Sequence, residues 1–298
     1  MSILVSVVIR TLNEAKYLGE LLEVITAQKT PRFDVEVVVV DSGSTDDTLS
    51  IAAHWGARVV KIDKIDFTFG RSLNLGCSFA DGDILAIISG HCVPMDSGWL
   101  HSLCEPILDG LAEYTYGRQT GRDTTKFSEN QLFSKYFGSS SEVPKRDFFV
   151  NNANSAIARA VWQEYLFDEN ILGLEDMELA KRLTGRGGST GYVAEAGVYH
   201  IHDEAWFQTF RRYEREAIAL KQIMPEIRLT FWDISRYVCA AIIIDAQKAW
   251  SQGVLTKEIL SIVKFRLAQY RGSYAGNRFH HRMSQQRRED YFYPSAKL

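Results

Sequence analysis

Glu175 and Asp176 stand side by side in the stretch GLEDMELAKRL, and a carboxylate is the group suited to take a proton from a hydroxyl. At a helix start the same pair could instead only complement the helix dipole. Three histidines add a second chemistry. His91 follows the apolar run ILAIIS through Gly90 and is soon stopped by Pro94, whereas His200 and His202 in GVYHIHDEAW are two apart. On an extended segment two such side chains leave from one face. Imidazoles so placed can coordinate a divalent ion, supply hydrogen bonds or charge to an anion, or simply pack. Arg71 and Asn74 in FTFGRSLNLG share one helical face at i, i+3. Arg71 could fork onto an anionic group there, or both could belong to a solvated face. Asp41 opens DSGSTD, where a carboxylate can cap the turn or accept from a ligand, with Ser44 and Asp46 as turn and cap residues.

The elements that must hold these groups alternate in type. ILVSVVIRT reads as a strand buried on both faces, and LNEAKYLGELLEVITAQ carries Leu18, Leu21, Leu22 and Ile25 as a helical stripe. DVEVVVVD repeats the strand, with a helix from about Thr48 to Trp55 after the turn; ARVVKI, a helix near Phe69 to Ala80, and DILAIIS follow. This alternation predicts an α/β class with a parallel sheet and right-handed crossovers. Ligands of such sheets sit at the carboxyl ends of the strands, so Asp41 and Ser89-Gly90-His91 should open onto one crevice. From Tyr114 to about Gly197 the pattern is less regular, with a short helix starting near Asp176 that turns Leu179 and Leu183 inward. After His202 it becomes strongly helical. The expected division is therefore an α/β domain over residues 1–204 and a helical extension over 205–298.

Composition narrows the class. The chain has 298 residues, 46% hydrophobic and 24% charged with a net charge of −3, enough to bury a substantial core. No apolar run reaches the roughly 18–20 residues that span a bilayer, and MSILVSVVIR is too short and too charged for a signal peptide. The expected location is the cytoplasm, with peripheral attachment at the inner face of the membrane as a second option. Cys77, Cys92, Cys104 and Cys239 form no metal or disulfide pattern and read as reduced and mostly buried. Lys264 to Arg288 holds seven Lys or Arg and no acid. With Arg266, Arg271, Arg278, Arg282, Arg287 and Arg288, this part could lie on an anionic membrane; alternatively, Tyr237 to Trp250 packs the helices and the tail is solvated.

In order, VSVVIRTLNEAKYL, VEVVVVDSGSTDDT, FGRSLNLG, GDILAIISGH, NANSAI and LGLEDMELAKRL resemble the motifs of family 2 glycosyltransferases with the GT-A fold, of the bacterial polysaccharide type that includes rhamnosyltransferases. The resemblance covers residue 3 to about 215. It implies a Rossmann-like, mostly parallel sheet flanked by helices, and inverting transfer of a sugar from a nucleoside diphosphate to an acceptor hydroxyl. It also implies Asp176 as the base with Glu175 positioning acceptor or sugar, and a nucleotide pocket from Thr11, Asn13, Glu14, Asp41 and Arg71. Donor and acceptor contacts are expected from Ser89, Gly90, Arg118, Gln119, Asn152 and Asn154. In the family this strand ends in Asp-x-Asp, whose last carboxylate holds a divalent cation; here Ser89-Gly90-His91 stands there, leaving His91, His200 and His202 as candidate ligands for Mn²⁺ or Mg²⁺. An imidazole brings no negative charge and suits a softer ion than Mg²⁺.

The implied partners are a UDP- or dTDP-sugar ahead of a GDP-sugar, a glycan or lipid-linked acceptor, and no nucleic acid. Two rivals remain at this level. A nucleotidyltransferase would need a Gly-rich phosphate loop after the first strand, where RTLNE stands; the same stretch lacks the GxGxxG of an NAD enzyme. A non-catalytic sugar-nucleotide or glycan-binding subunit fits the missing Asp-x-Asp, but the retained Glu175-Asp176 speaks against it.

Overall fold

The Val- and Ile-rich runs of the first third become strands joined by helices in the computed structural model, which describes residues 3–278. In order these are β1 (Ile3–Thr11), α1 (Ala15–Thr26), β2 (Phe33–Asp41), α2 (Thr48–His54), β3 (Arg58–Lys61), α3 (Phe69–Phe79) and β4 (Ile84–Ser89). Then come β5 (Cys92–Pro94), α4 (Trp99–Leu108), β6 (Tyr114–Thr120), α5 (Phe127–Tyr136), β7 (Glu142–Lys145), β8 (Asn154–Ala158), α6 (Arg159–Tyr165), α7 (Glu175–Gly185) and β9 (Thr190–His200). Three long helices follow: α8 (Trp206–Ile223), α9 (Phe231–Ser251) and α10 (Leu255–Asn277).

One sheet takes the order β3-β2-β1-β4-β8-β6-β9-β5, with β7 on β9. Its first four strands are parallel, as the alternation predicts. β8 then runs antiparallel between β4 and β6, β9 is parallel to β6, and β5 is antiparallel to β9. This mixed half is the part whose sequence reads as irregular. Val5, Val7 and Ile9 of β1, Val39 of β2 and Ile88 of β4 pack against Leu18, Leu21 and Leu22 of α1 in the core. Continuous apolar strands are what two covered faces demand.

The chain divides into two compact units. The nine strands belong to the first, with α1 to α4, α6 and α7; α5 groups with α8, α9 and α10 in the second. Within the second unit Arg266 is buried rather than part of a basic surface. Its guanidinium donates to both oxygens of Asp245 (2.7 and 2.8 Å), which also accepts from the Ser128 hydroxyl at 2.6 Å. A buried Asp must have such partners, so the cation turns inward. Arg282, Arg287 and Arg288 lie outside the described residues.

α10 lies close along α8 because two of its residues lack a side chain. A Cβ on Gly276 would sit 2.2 Å from the Glu214 carbonyl oxygen and 2.9 Å from the Ala217 Cβ. Backbone cannot yield as a flexible side chain does. Gly276→Ala, favourable for an isolated helix, should here lower stability by about 1–3 kcal/mol. A chemical denaturation curve measures this, and an unchanged or raised midpoint would refute the close crossing.

Candidate active site

Two turns at the carboxyl ends of β1 and β2 lock together. Asn13 has a left-handed backbone (φ 57°), which Asn tolerates better than most residues. Its side-chain oxygen accepts the Thr45 N–H at 2.8 Å, while its own N–H donates to the Ser44 hydroxyl at 2.8 Å. The N–H groups of Glu14 and Ala15 donate to Thr48 and Asp46 at 2.8 and 3.1 Å. Asp41 closes the second turn, accepting from the N–H groups of Gly43 and Ser44 and the hydroxyls of Ser44 and Thr11. It is 1% exposed, so the turn-capping alternative describes its present bonding.

Arg71 lies on the exposed side of α3, paired with Glu169 at 2.9 Å and donating to the Asp66 carbonyl at 3.1 Å. Asn74 on the same face is an internal clamp, bonded to Trp162, to the Phe167 backbone and to Glu169.

The histidines converge through the short β5. Its Cys92 pairs with His200 in the register of β9, and the Ile201 N–H donates to the His91 carbonyl at 3.2 Å. The rings of His91 and His200 stack with centroids 5.2 Å apart. One ring nitrogen each from His91, His200 and His202, two residues further along the chain, lie within 4.8 Å of one another. Each Nδ1 faces a side-chain oxygen: Glu14 for His91 (2.8 Å), Gln119 for His200 (2.7 Å) and Glu129 for His202 (2.8 Å). With the proton on Nδ1, the lone pair of each ring is on Nε2, the arrangement that orients metal-ligating histidines. Burial and the charge of Arg212 hold the His202 imidazole below its usual range, against the pull of Glu129. Burial alone would raise the Glu129 carboxyl, but His202 and Arg212 together bring it down to about 2. Ser89 and Gly90 complete the strand end. A Cβ at Gly90 would stand 2.9 Å from Glu14 Cγ, so the glycine lets the His91 partner approach.

Glu175 and Asp176 open α7, just after Leu174, whose backbone is left-handed (φ 58°). Asp176 is 7% exposed and accepts the N–H groups of Asn152 and Met177, each at 2.8 Å. Burial first, and then the neighbouring charge of Glu175, push its carboxyl up to about 7, against the two N–H donors and Arg10. Glu175 is paired with Arg10 at 3.3 Å. Arg10 is absent from the expected set; a lone cation ending the apolar run of β1 was its signal.

The remaining expected residues support these groups. Gln119 holds His200 and donates to Asn151 at 3.0 Å. The Asn152 side-chain oxygen accepts from Tyr114 and Ser155, while its buried amide nitrogen has no hydrogen-bond partner among the described residues. Asn154 is fully buried, with its amide bonded to Trp99, Arg118 and Ala196 backbone or ring groups, which fits an internal clamp. Arg118 is half-buried, and its Nε also lacks a hydrogen-bond partner among the described residues.

Residues 6–166 match the model of Glycosyl transferase family 2. The O-antigen chain rhamnosyltransferase RfbN of Salmonella typhimurium is 27% identical over 221 residues, 70% of each chain. Among solved structures, the mannosyltransferase PcManGT of Pyrobaculum calidifontis, in complex with GDP-Man and Mn²⁺, superposes with a TM-score of 0.63 at 17% identity, covering 91% of this chain and 86% of its own. Glucosyl-3-phosphoglycerate synthase of Mycobacterium tuberculosis, with Mn²⁺, UDP and glucosyl-3-phosphoglycerate, gives 0.57 at 20% identity over 74% and 80%. The structural likeness shows the GT-A fold. With the family model matching more than half of the sequence, this chain belongs to glycosyltransferase family 2.

Proposed function

We propose that this glycosyltransferase moves a sugar, with inversion, from a nucleoside diphosphate to a hydroxyl on a bacterial surface polysaccharide or its lipid-linked precursor. The observation that carries this reading is the Asp176 carboxylate, buried, held by two N–H donors and raised to about 7. A carboxylate poised near neutrality is matched to taking the acceptor proton as the hydroxyl attacks. Glu175, neutralised by Arg10, positions acceptor or sugar beside it.

The interlocked turns carrying Thr11, Asn13 and Glu14 form the nucleoside pocket, with Asp41 fixing their shape. Arg71 reaches a diphosphate by exchanging its present carboxylate partner. Arg118, Asn152 and the Ser89-Gly90 strand end face donor and acceptor. His91, His200 and His202 would hold a divalent cation; three imidazoles braced at Nδ1 fit an ion of the Mn²⁺ kind better than Mg²⁺. Bound there, the cation would offset the negative charge of the departing diphosphate. The rhamnosyltransferase relative favours a deoxyhexose donor, and UDP or dTDP stands ahead of GDP as its nucleotide. Residues 1–204 carry the transfer.

The test is transfer from a panel of UDP-, dTDP- and GDP-sugars to a lipid-linked or synthetic glycan acceptor, with the new linkage read by NMR. One donor should be used in strong preference, giving an anomeric configuration opposite to its own. A product with retained configuration, or no product from any donor, would overturn the reading.

A further inference from the structure

Exposed apolar and basic side chains gather on the outer surfaces of α9 and α10. Eight of the fourteen large apolar side chains exposed among the described residues lie on these two helices. Trp232 is 75% exposed, Trp250 74%, Ile244 63% and Leu260 72%. Trp232, Ile243 and Trp250 recur at spacings of eleven and seven residues, so they follow one face of α9. Tryptophans stand near both ends of that stripe, about 27 Å apart by helix rise.

The charges around this face have one sign. The exposed charged side chains from Phe231 to Arg278 are Arg236, Lys248, Lys257, Lys264, Arg271 and Arg278. The three acids of α9 and α10 are accounted for otherwise: Asp233 caps α9 through Thr230, Asp245 is buried on Arg266, and the half-buried Glu258 lies 3.8 Å from Lys257. On α10, Lys257, Leu260, Lys264, Leu267 and Arg271 follow one exposed face, basic and leucine alternating. No helix among the described residues is long and apolar enough to cross a membrane, so at a bilayer α9 and α10 would lie along the surface rather than span it.

From these observations we infer that the outer faces of α9 and α10 seat on an anionic lipid bilayer, with Trp232 and Trp250 entering the headgroup boundary and the basic side chains meeting lipid phosphates. Indole rings favour that boundary, and lysine and arginine are drawn to anionic headgroups. A second copy of the chain is the poorer occupant, because a self-complementary contact would bring the same cations together. The inference rests on the proposed function only in that a lipid-linked acceptor is met at such a surface.

The experiment is co-sedimentation of the full chain, without sugar nucleotide, on vesicles of phosphatidylcholine alone or mixed with phosphatidylglycerol. Binding should require phosphatidylglycerol and weaken with salt. Trp232→Ser with Trp250→Ser should lower affinity at least about tenfold, and Lys257→Gln with Lys264→Gln about twenty-fivefold, near fivefold per charge. Transfer to a soluble acceptor should be unchanged in both variants, which separates this failure from that of the proposed function. Absence of binding to mixed vesicles would overturn the inference, as would binding that persists in both variants and so arises elsewhere. A lipid-free dimer lost on Trp232→Ser and Trp250→Ser would assign the face to a second copy instead.

Discussion

Asp176→Asn should lower transfer by about 10²–10⁴-fold, the range for loss of a positioned general base, while leaving nucleoside diphosphate binding nearly intact. Asparagine keeps the shape of the side chain but cannot take a proton. It also cannot accept both bonds now made to Asp176, since its amide nitrogen would face either the Asn152 or the Met177 N–H. That mismatch costs about 1–3 kcal/mol of stability, so the comparison belongs at a temperature where both forms are folded. Calorimetry with the nucleotide and single-turnover transfer separate the two readouts. Loss of binding and transfer together would show that Asp176 holds the pocket rather than the proton.

The same carboxylate fixes the sign of the pH dependence. A base must be ionised, and burial and Glu175 raise Asp176 to about 7, so transfer should fall as pH drops through that value. Glu175→Gln removes the like charge and leaves Arg10 without its carboxylate, and both changes favour ionised Asp176. The acidic limb of kcat/KM should therefore move to lower pH. A limb that stays or rises would remove Asp176 from the titration.

For the imidazole group, His200→Ala should abolish the part of nucleotide binding that depends on a divalent cation. Of the three rings His200 is the most deeply buried, stacked on His91 and braced by Gln119. Wild type is expected to bind the diphosphate more tightly with Mn²⁺ than in EDTA, with a smaller gain from Mg²⁺, whereas the variant binds equally in all three. Gln119→Leu keeps the ring but removes the bond at Nδ1, and should weaken cation binding by about 10–100-fold. Calorimetry with each ion reads this without requiring turnover. Equal wild-type binding in EDTA would mean that the imidazoles meet the diphosphate themselves.

The sequence disclosed the parts of this enzyme whose signals are local. β1 to β4 were legible because each is a short run rich in Val and Ile and helices stand between them, and α7 because its carboxylates precede the Leu179 and Leu183 stripe. The mixed half of the sheet was not, since β6, β8 and β9 are defined by partners distant in the chain. The site divides in the same way. Glu175, Asp176 and the histidines were legible from type and motif. Their supports were not: Arg10 meets Glu175 across 165 residues, Gln119 meets His200 across 81, and Glu129 meets His202 across 73. Asn154 shows the converse, a polar residue in a motif whose bonds are internal.

The place of β9 in the sheet has a consequence for biosynthesis. Among the described residues β5 has a single strand neighbour, and that neighbour is the last of the described strands to be made. While the ribosome is still adding residues 95–189, β5 carries unpaired backbone and leaves His91 without the ring it will stack upon. A nascent or prematurely terminated chain can form the parallel layer of β1 to β4 yet still display an open edge beside it, a surface that invites capture by chaperones or by other unfinished chains.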